Sequence, residues 1–177
     1  MQYLKDLGFI IKRTNIGESD RFVTVFTKNN GKIDFMAKGI RKITSRRASK
    51  LEPLNLIRFQ AVRSSKNFVL ADIELVSSYD TLRRELSDIR ILFLLCELID
   101  RLCPLGQKHD DIFDLIHKTL NRITREEEGA MSVFQIKILS ILGFWDGKQE
   151  FKNDDDIRQF VESIIERKLK TERFFRA

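Results

Sequence analysis

The chain has 177 residues, of which 42% are hydrophobic and 33% are charged. This composition is typical of globular domains with modest cores, and it excludes fibrous and disordered classes. Two cysteines are too few for a disulfide framework or a four-cysteine zinc site. No secretory signal opens the chain, and its longest apolar run, residues 91–96, is too short to cross a bilayer. We therefore expect a cytoplasmic protein with no membrane partner.

The net charge of +6 is divided unevenly along the chain. Residues 1–80 contain fifteen Lys and Arg against eight Asp and Glu, a net charge of +7. Residues 81–177 contain seventeen against eighteen, a net charge of −1. A basic segment joined to a neutral one favours a module that binds a polyanion. A generic basic surface is the alternative interpretation.

The first half has the alternating, β-branched patterns of five short strands. They are expected at residues 7–14, 21–27, 32–38, 54–63 and 67–77. In the fifth, alternation puts four apolar residues on one face: Val69, Ala71, Ile73 and Leu75. Turn residues join the second strand to the third and the fourth to the fifth. Five strands with a long polar interruption after the third predict an OB-fold barrel, a fold that binds oligonucleotides.

From Ser78 onward the apolar period becomes helical. Helices are expected at residues 79–102, 110–124, 131–142 and 154–169. The first has an apolar stripe that comprises Leu82, Leu86, Ile89, Phe93, Cys96 and Ile99. We expect an α+β chain with an OB-fold domain at residues 1–79 and a helical domain at residues 80–177.

Residues 38–50, KGIRKITSRRASK, form the most distinctive segment of the chain. Six cations occur in these thirteen residues without an acidic neighbour: Lys38, Arg41, Lys42, Arg46, Arg47 and Lys50. Clustered cations of this kind bind DNA phosphates by releasing counterions. We add Arg13 and Arg21 to this predicted DNA-binding set, and Arg58 and Lys66 could extend it. A solvated basic loop is the alternative.

Single-strand binding commonly adds aromatic side chains on which bases stack. Phe22, Phe26 and Phe68 are candidates because they share strand faces with polar residues. Phe35 and Phe59 lie on apolar faces and are expected in the core.

The sequence offers no convincing catalytic or metal motif. His109 and His117 lie near three aspartates, but carboxylates there also suit the first turn of a helix. Cys96 and Cys103 are expected on one apolar helix face as inert packing. We therefore expect no catalytic residue, no metal site and no cofactor.

Several short motifs follow one another in a fixed order between residues 15 and 59. They are Gly17-Glu18-Ser19-Asp20-Arg21, Phe26-Thr27 with Gly31-Lys32, Ala37-Lys38-Gly39 with Arg41, Ser45-Arg46-Arg47, and Leu51 with Pro53. In this order they resemble the N-terminal domain of the bacterial recombination mediator RecO. A weaker similarity continues through residues 75–79, Glu97-Leu98, Phe134 and residues 139–144.

The resemblance implies an OB-fold followed by a helical domain, with no catalysed covalent chemistry. It implies binding of single- and double-stranded DNA and annealing of complementary strands in DNA repair and recombination at the bacterial nucleoid. The implied partners are RecR, the acidic C-terminal tail of single-strand-binding protein, and indirectly RecA. Four basic residues among apolar neighbours could hold that tail in the helical domain: Arg83, Arg84, Arg90 and Lys137.

The sequence departs from the family pattern after Phe144. Many members have a zinc finger of paired cysteines there, whereas no cysteine of this chain lies beyond Cys103. We expect a shortened form without zinc. Two other functions stay open at this point. One is an RNA-binding OB module of a translation or ribosome-associated factor, and the other is a metal-dependent nuclease that uses Asp110, Asp111 and Asp114.

Overall fold

The computed structural model describes residues 3–65 and 67–171. The chain divides into two compact units. The first contains the chain through Tyr79 together with Cys103–His109, and the second contains Asp80–Leu102 and the chain from Asp110 onward. The segment Cys103–His109, which was expected in the helical domain, thus belongs to the first unit. Within the described ranges, no helix is long and apolar enough to cross a membrane.

Five strands build the first unit. They are β1 (Tyr3–Ile16), β2 (Asp20–Thr27), β3 (Gly31–Ala37), β4 (Leu56–Ser64) and β5 (Asn67–Ser77). The strands form a closed barrel in the order β1-β2-β3-β5-β4, in which β4 pairs with β1 antiparallel. β3 pairs with β5 in parallel, at Phe35–Phe68 and Met36–Val69. A five-stranded Greek-key barrel is the architecture of an OB-fold, and this part of the predicted fold class is confirmed.

The barrel interior is filled by apolar side chains from all five strands. The buried cluster includes Ile10, Val23, Val25, Phe35, Ile57, Phe59, Leu70 and Ile73. The rings of Phe35 and Phe59 lie with their centroids 5.3 Å apart, as expected of core residues. Burying each large apolar side chain contributes about 1.5–3 kcal/mol, so this cluster is the main stabilising term of the barrel.

β5 departs from the predicted alternation. Leu75 lies on the same face as Ile73 but is exposed near the end of the strand. Leu70 and Ile73 are buried, whereas Ala71 is exposed. The cause is a shift in the pairing with β4, where Gln60 lies opposite Asp72 but Ala61 lies opposite Leu70. Ala71 is thus an extra residue on β5, and a β-bulge of this kind reverses which side chains face the core.

The connection between β3 and β4 is fixed at both ends and exposed in its middle. Ile40 near its start and Leu51 and Leu54 near its end are buried in the barrel core. A 3-10 turn at Ala48–Leu51 leads the chain back to β4. The residues between Ile40 and this turn are therefore presented to solvent by two anchored ends.

Four helices form the second unit: α1 (Leu86–Leu102), α2 (Asp110–Thr124), α3 (Ala130–Ile141) and α4 (Asp154–Ile165). With the barrel, they confirm the α+β class. α2 has its predicted bounds, and α3 ends before Gly143, whose φ is +75°. α4 ends earlier than predicted because Glu166 adopts a left-handed conformation, with φ of 54°.

The predicted apolar stripe of the first helix is confirmed at Cys96 and Ile99 and wrong at Leu86 and Phe93. Leu82 lies in a separate 3-10 turn, Asp80–Arg83, so its spacing does not determine the face of α1. Leu86 and Phe93 are exposed. The buried residues of α1 are Leu92, Leu95, Cys96, Leu98, Ile99 and Leu102. The apolar residues of α1 fit more than one stripe at i+3 and i+4 spacing, and the packing of the unit selects which stripe is buried.

Both cysteines are buried and neither forms a disulfide, but they do not share a helix. Cys96 lies within α1, whereas Cys103 follows the end of that helix. Burial raises the pKa of the Cys96 thiol to about 12. The thiol therefore stays protonated at neutral pH, as expected for an inert core residue.

The segment Cys103–His109 lies against the start of β3. Leu105 forms a parallel bridge with Lys32, and the Gly106 N–H donates to the Lys32 carbonyl at 2.8 Å. Gly31 has φ of +66°, and a Cβ atom there would lie 1.9 Å from the Gln107 carbonyl oxygen. Glycine is therefore required at position 31 for two reasons: its backbone conformation and the close approach of another segment.

We predict that Gly31→Ala destabilises the barrel more than Gly106→Ala. Both glycines have positive φ, which costs about 1–2 kcal/mol for alanine. Only at Gly31, of these two, would the new methyl group also collide with backbone, at a further cost of about 1–3 kcal/mol. Urea unfolding followed by circular dichroism measures both variants. Equal losses in the two would contradict the role assigned to Gln107.

Candidate nucleic-acid interface

The middle of the β3–β4 connection forms an open, cationic cleft of about 610 Å³. Its lining consists of Lys38, Gly39, Lys42, Thr44, Ser45, Arg46 and Arg47. Among the described residues that line it, none is acidic. We call this feature the basic cleft. It brings together four of the six cations predicted from residues 38–50, together with two hydroxyl groups that can donate to phosphate.

A set of hydrogen bonds connects the β1–β2 turn to the start of the β3–β4 connection. The Asp20 carboxylate accepts from the Gly39 N–H at 2.7 Å and from the Ser19 hydroxyl at 3.0 Å. The Ser19 carbonyl accepts from the Arg41 N–H at 2.9 Å, and the Gly17 carbonyl accepts from the Arg41 guanidinium at 3.0 Å. We call these five residues the turn clamp. The clamp determines the direction in which the chain leaves β3.

The electrostatics of Asp20 keep the turn clamp closed at neutral pH. The hydrogen bond from Gly39, followed by the one from Ser19, holds the pKa of Asp20 below its ordinary value of 3.8, and Lys38 and Lys42 act in the same direction. A lowered folded-state pKa means that the ionised carboxylate stabilises the fold at pH above the unfolded value. That contribution is lost as the pH falls below 3.8 and through the folded pKa.

Three guanidinium groups lie near one another beside the turn clamp. Burial, then the charge of Arg13 and that of Arg41, lower the pKa of Arg21, while Glu52 opposes them. Arg21 donates to the Asn15 side chain at 3.0 Å, and arginine remains charged in proteins. Arg13 is paired with the Glu52 carboxylate. Arg21 and Arg41 thus extend the positive surface, whereas the charge of Arg13 is partly neutralised.

Three other predicted cations are placed differently. Lys50 is half-buried, and its ammonium group donates to the Ile73 carbonyl at 2.9 Å, so it ties the connection to β5. Arg58 pairs with Glu74 at 2.6 Å on the barrel surface. Lys66 lies outside the described residues. A DNA contact by any of the three stays a prediction.

The aromatic candidates separate into three environments. Phe26 is completely buried, so its selection as a stacking residue is wrong. Phe68 packs against the barrel core, and the Arg63 guanidinium lies 5.7 Å from its ring centroid. Phe22 is half-buried in β2 and stays a candidate. Strand alternation selected Phe26 because it shares a strand face with polar residues, but Thr24 on that face is buried as well, so a polar face is not by itself an exposed one.

The acidic cluster proposed for a nuclease lies at the start of α2. Asp110 and Asp111 occupy the first turn, where carboxylates complement the helix dipole, and Asp111 accepts from the Ile112 N–H at 2.9 Å. Among the described residues, no group of three or more His, Cys, Asp or Glu side chains could hold a metal ion. The cluster is therefore explained by the start of a helix.

The second unit has two clefts of different charge. Leu115 and Val133 lie in a cleft of α2 and α3 that also contains Lys118, Arg122, Arg125 and Lys137. The one acid in its lining, Glu127, pairs with Arg122 at 2.7 Å. Arg90 lines a different cleft with Asp88 and three consecutive glutamates, and Arg83 pairs with Asp80 at 2.6 Å. Of the four candidates for an acidic tail, Lys137 thus lies in a basic cleft.

Sequence reasoning missed the turn clamp. Its members lie in two of the motifs that carry the family resemblance, one around Asp20 and the other around Gly39. The available indication was that each motif combines a glycine with charged residues. Nothing in their spacing, however, predicts that these two motifs meet through a carboxylate and a backbone N–H.

We predict that Asp20→Ala accelerates trypsin cleavage within residues 38–50 several-fold. Without the carboxylate, the Gly39 N–H loses its acceptor and the start of the cationic connection is released. Asp146→Ala is the matched control, because Asp146 also accepts a backbone N–H, from Lys148 at 3.0 Å, but lies in the second unit. Cleavage is timed by mass spectrometry. An unchanged rate in Asp20→Ala would mean that the clamp does not hold the connection.

Comparison with known proteins identifies the family to which the sequence is similar. The family model described as Recombination protein O N terminal matches residues 1–79, and the one described as Recombination protein O C terminal matches residues 83–145. DNA repair protein RecO of Acetivibrio thermocellus is 26% identical over 147 residues, which is 81% of this chain and 59% of that protein. The protein of the same name from Symbiobacterium thermophilum is 29% identical over 140 residues, or 77% and 55% of the two chains.

The chain therefore spans between 55% and 59% of the length of these two relatives. The first family model coincides with the barrel, which carries the turn clamp and the basic cleft. The second extends from the 3-10 turn before α1 to the residues that follow α3. Because two models of one family together match most of the sequence, the chain belongs to the RecO family of recombination proteins.

Proposed function

We propose that the chain is a non-enzymatic DNA-binding protein that anneals complementary strands in recombinational DNA repair. The observation that carries the proposal is the basic cleft, four cations without an acidic lining residue, held against an OB-fold barrel by the turn clamp. Membership of a family whose named members are DNA repair proteins supports it.

The mechanism follows from the charge of the two strands. Complementary strands repel each other through their phosphates, and a broad cationic surface lowers this repulsion when both are held close together. Lys38, Lys42, Arg46 and Arg47 would neutralise phosphates, with Arg21 and Arg41 extending the surface beyond the basic cleft. Contacts with phosphates carry no information about base identity, so binding to single- and double-stranded DNA would be independent of sequence.

The proposal includes the partners that the family resemblance implies. The protein would act with RecR to help RecA replace single-strand-binding protein on single-stranded DNA, which would place it at the bacterial nucleoid. The acidic C-terminal tail of single-strand-binding protein ends in apolar residues, so its site needs cations around an apolar floor. The cleft of α2 and α3 combines both, with Leu115 and Val133 among its four cations.

We predict that the double variant Arg46→Ala/Arg47→Ala binds poly-dT more weakly and with less dependence on salt. If the cleft contacts three to five phosphates, a plot of log K against log salt has a slope of about −2 to −4. Removing two cations should flatten this slope by about one to two units. The fold should survive, because surface substitutions usually cost within about 0.5 kcal/mol. Fluorescence anisotropy at several salt concentrations measures affinity and slope together.

The matched control is Lys148→Ala/Lys152→Ala, which removes the same two charges from the second unit, outside the basic cleft. It should leave the slope unchanged. The same two variants are then compared in annealing of DNA coated with single-strand-binding protein. Annealing should be slower with Arg46→Ala/Arg47→Ala and unchanged with the control. If the folded cleft variant keeps the wild-type affinity and slope, DNA binds elsewhere. If RNA outcompetes single-stranded DNA of equal length at equal salt, the RNA-binding alternative is favoured instead.

We also predict that Lys118→Glu/Lys137→Glu weakens binding of the C-terminal peptide of the cognate single-strand-binding protein. The two new glutamates would repel the acidic peptide, so its affinity should fall about tenfold or more at low salt. Lys148→Glu/Lys152→Glu makes the same change of charge outside this cleft and should bind normally. Calorimetric titration measures both. If wild-type protein does not bind the peptide at low salt, the proposed partner is wrong. If both variants lose the same affinity, the proposed site is wrong.

A further inference from the structure

An isoleucine stands at the centre of the cationic connection. The Ile43 side chain is fully exposed, whereas Ile40, three residues earlier, is completely buried in the barrel. Arg41, Lys42 and Thr44 on either side are also exposed. Single exposed apolar residues are common on protein surfaces, so exposure by itself identifies no function. Two further observations indicate a function for Ile43.

The first observation is the backbone that presents Ile43. The Lys42 N–H donates to the Gly39 carbonyl at 3.3 Å, and the Ser45 N–H donates to the Lys42 carbonyl at 2.8 Å. Two successive turns therefore build the tip of the connection, and Ile43 occupies the second position of the turn from Lys42 to Ser45. Turns favour Gly, Pro, Asn, Asp and Ser, and a β-branched apolar residue gains nothing there from turn chemistry. Neither core packing nor turn propensity explains this isoleucine.

The second observation is its position relative to the basic cleft. Lys42, Thr44 and Ser45 line that cleft, so the residues on both sides of Ile43 belong to it. A strand whose phosphates contact these residues brings its bases within reach of the same turn. Apolar side chains beside phosphate contacts insert between base steps in many DNA-binding proteins. Apolar and aromatic contacts with base faces are also tolerant of sequence.

We propose that Ile43 is a base-contacting wedge that inserts against the bases of single-stranded DNA held by the basic cleft. This inference rests on the proposed DNA-binding function and adds a non-ionic contact to it. The contact would supply a part of the affinity that salt does not weaken, and it would separate neighbouring bases of the held strand. A lipid surface suits the turn less well, because one isoleucine among hydroxyl and cationic side chains offers little apolar area for insertion.

The test compares Ile43→Ser with wild type on two oligonucleotides of equal length, one of thymidine and one with abasic sites throughout. Both present the same phosphates, but only the first has bases. The variant should bind the thymidine strand about three- to tenfold more weakly, as expected for the loss of a partly buried apolar side chain. Its salt slope should equal that of wild type, and its affinity for the abasic strand should be unchanged.

Leu105→Ser is the matched control. Leu105 is an exposed aliphatic residue of the same unit, but it bridges Lys32 at the start of β3, whereas the connection leaves the end of that strand. Lys32 and Ala37 are five residues apart, which is about 17 Å along the strand. This variant should bind both oligonucleotides as wild type does. A loss in Leu105→Ser equal to that in Ile43→Ser would overturn the assignment.

The remaining outcomes separate this inference from the function on which it rests. If wild type binds neither oligonucleotide, the proposed function fails and the wedge fails with it. If wild type binds both oligonucleotides and Ile43→Ser binds each of them as tightly as wild type does, the proposed wedge is wrong and the proposed function stands. An equal loss on both strands would show a contact with the backbone and would also overturn it. Binding to phosphatidylglycerol vesicles that depends on Ile43, with unchanged binding to thymidine, would assign the residue to lipid instead.

Discussion

The hydrogen bond between the Asp20 carboxylate and the Gly39 N–H determines where the cationic segment lies. β3 ends at Ala37, and without this bond the chain could leave the barrel in many directions. The left-handed conformation of Gly39 turns the chain toward the β1–β2 turn, and the Arg41 backbone then bonds to Ser19. Because Ile40 is buried between the clamp residues Gly39 and Arg41, the exposed tip of the connection starts from a defined point.

This anchoring separates the cations of the connection into two groups with different roles. Lys50 and Arg41 bond to carbonyl oxygens of the barrel and help to fix the segment. Lys38, Lys42, Arg46 and Arg47 surround the basic cleft. A count of positive charges in the sequence treats all of them alike. In the structure, two of these cations also help to hold the loop that presents the rest, and they keep their charge while doing so.

A count of charges also hides a local separation in residues 81–177, whose net charge is −1. These charges are not mixed evenly over the surface. Cations gather in the cleft of α2 and α3, whereas acids gather around Arg90 in another cleft. A net charge near zero therefore conceals two surfaces that would attract partners of opposite sign. The site proposed for an acidic peptide depends on this local separation and not on the net charge of the unit.

Local patterns in the sequence were enough to predict the five strands, the four helices, the OB-fold class and the segment with the densest run of cations. These follow from local signals, since alternation and helical periodicity depend on neighbours within a few residues. Tertiary contacts were needed to establish the β5 bulge, the buried face of α1, the attachment of Cys103–His109 to Gly31 and the turn clamp. Each of these depends on a partner far along the chain, as Asp20 and Gly39 are, and no local pattern specifies which distant carboxylate a backbone N–H will meet.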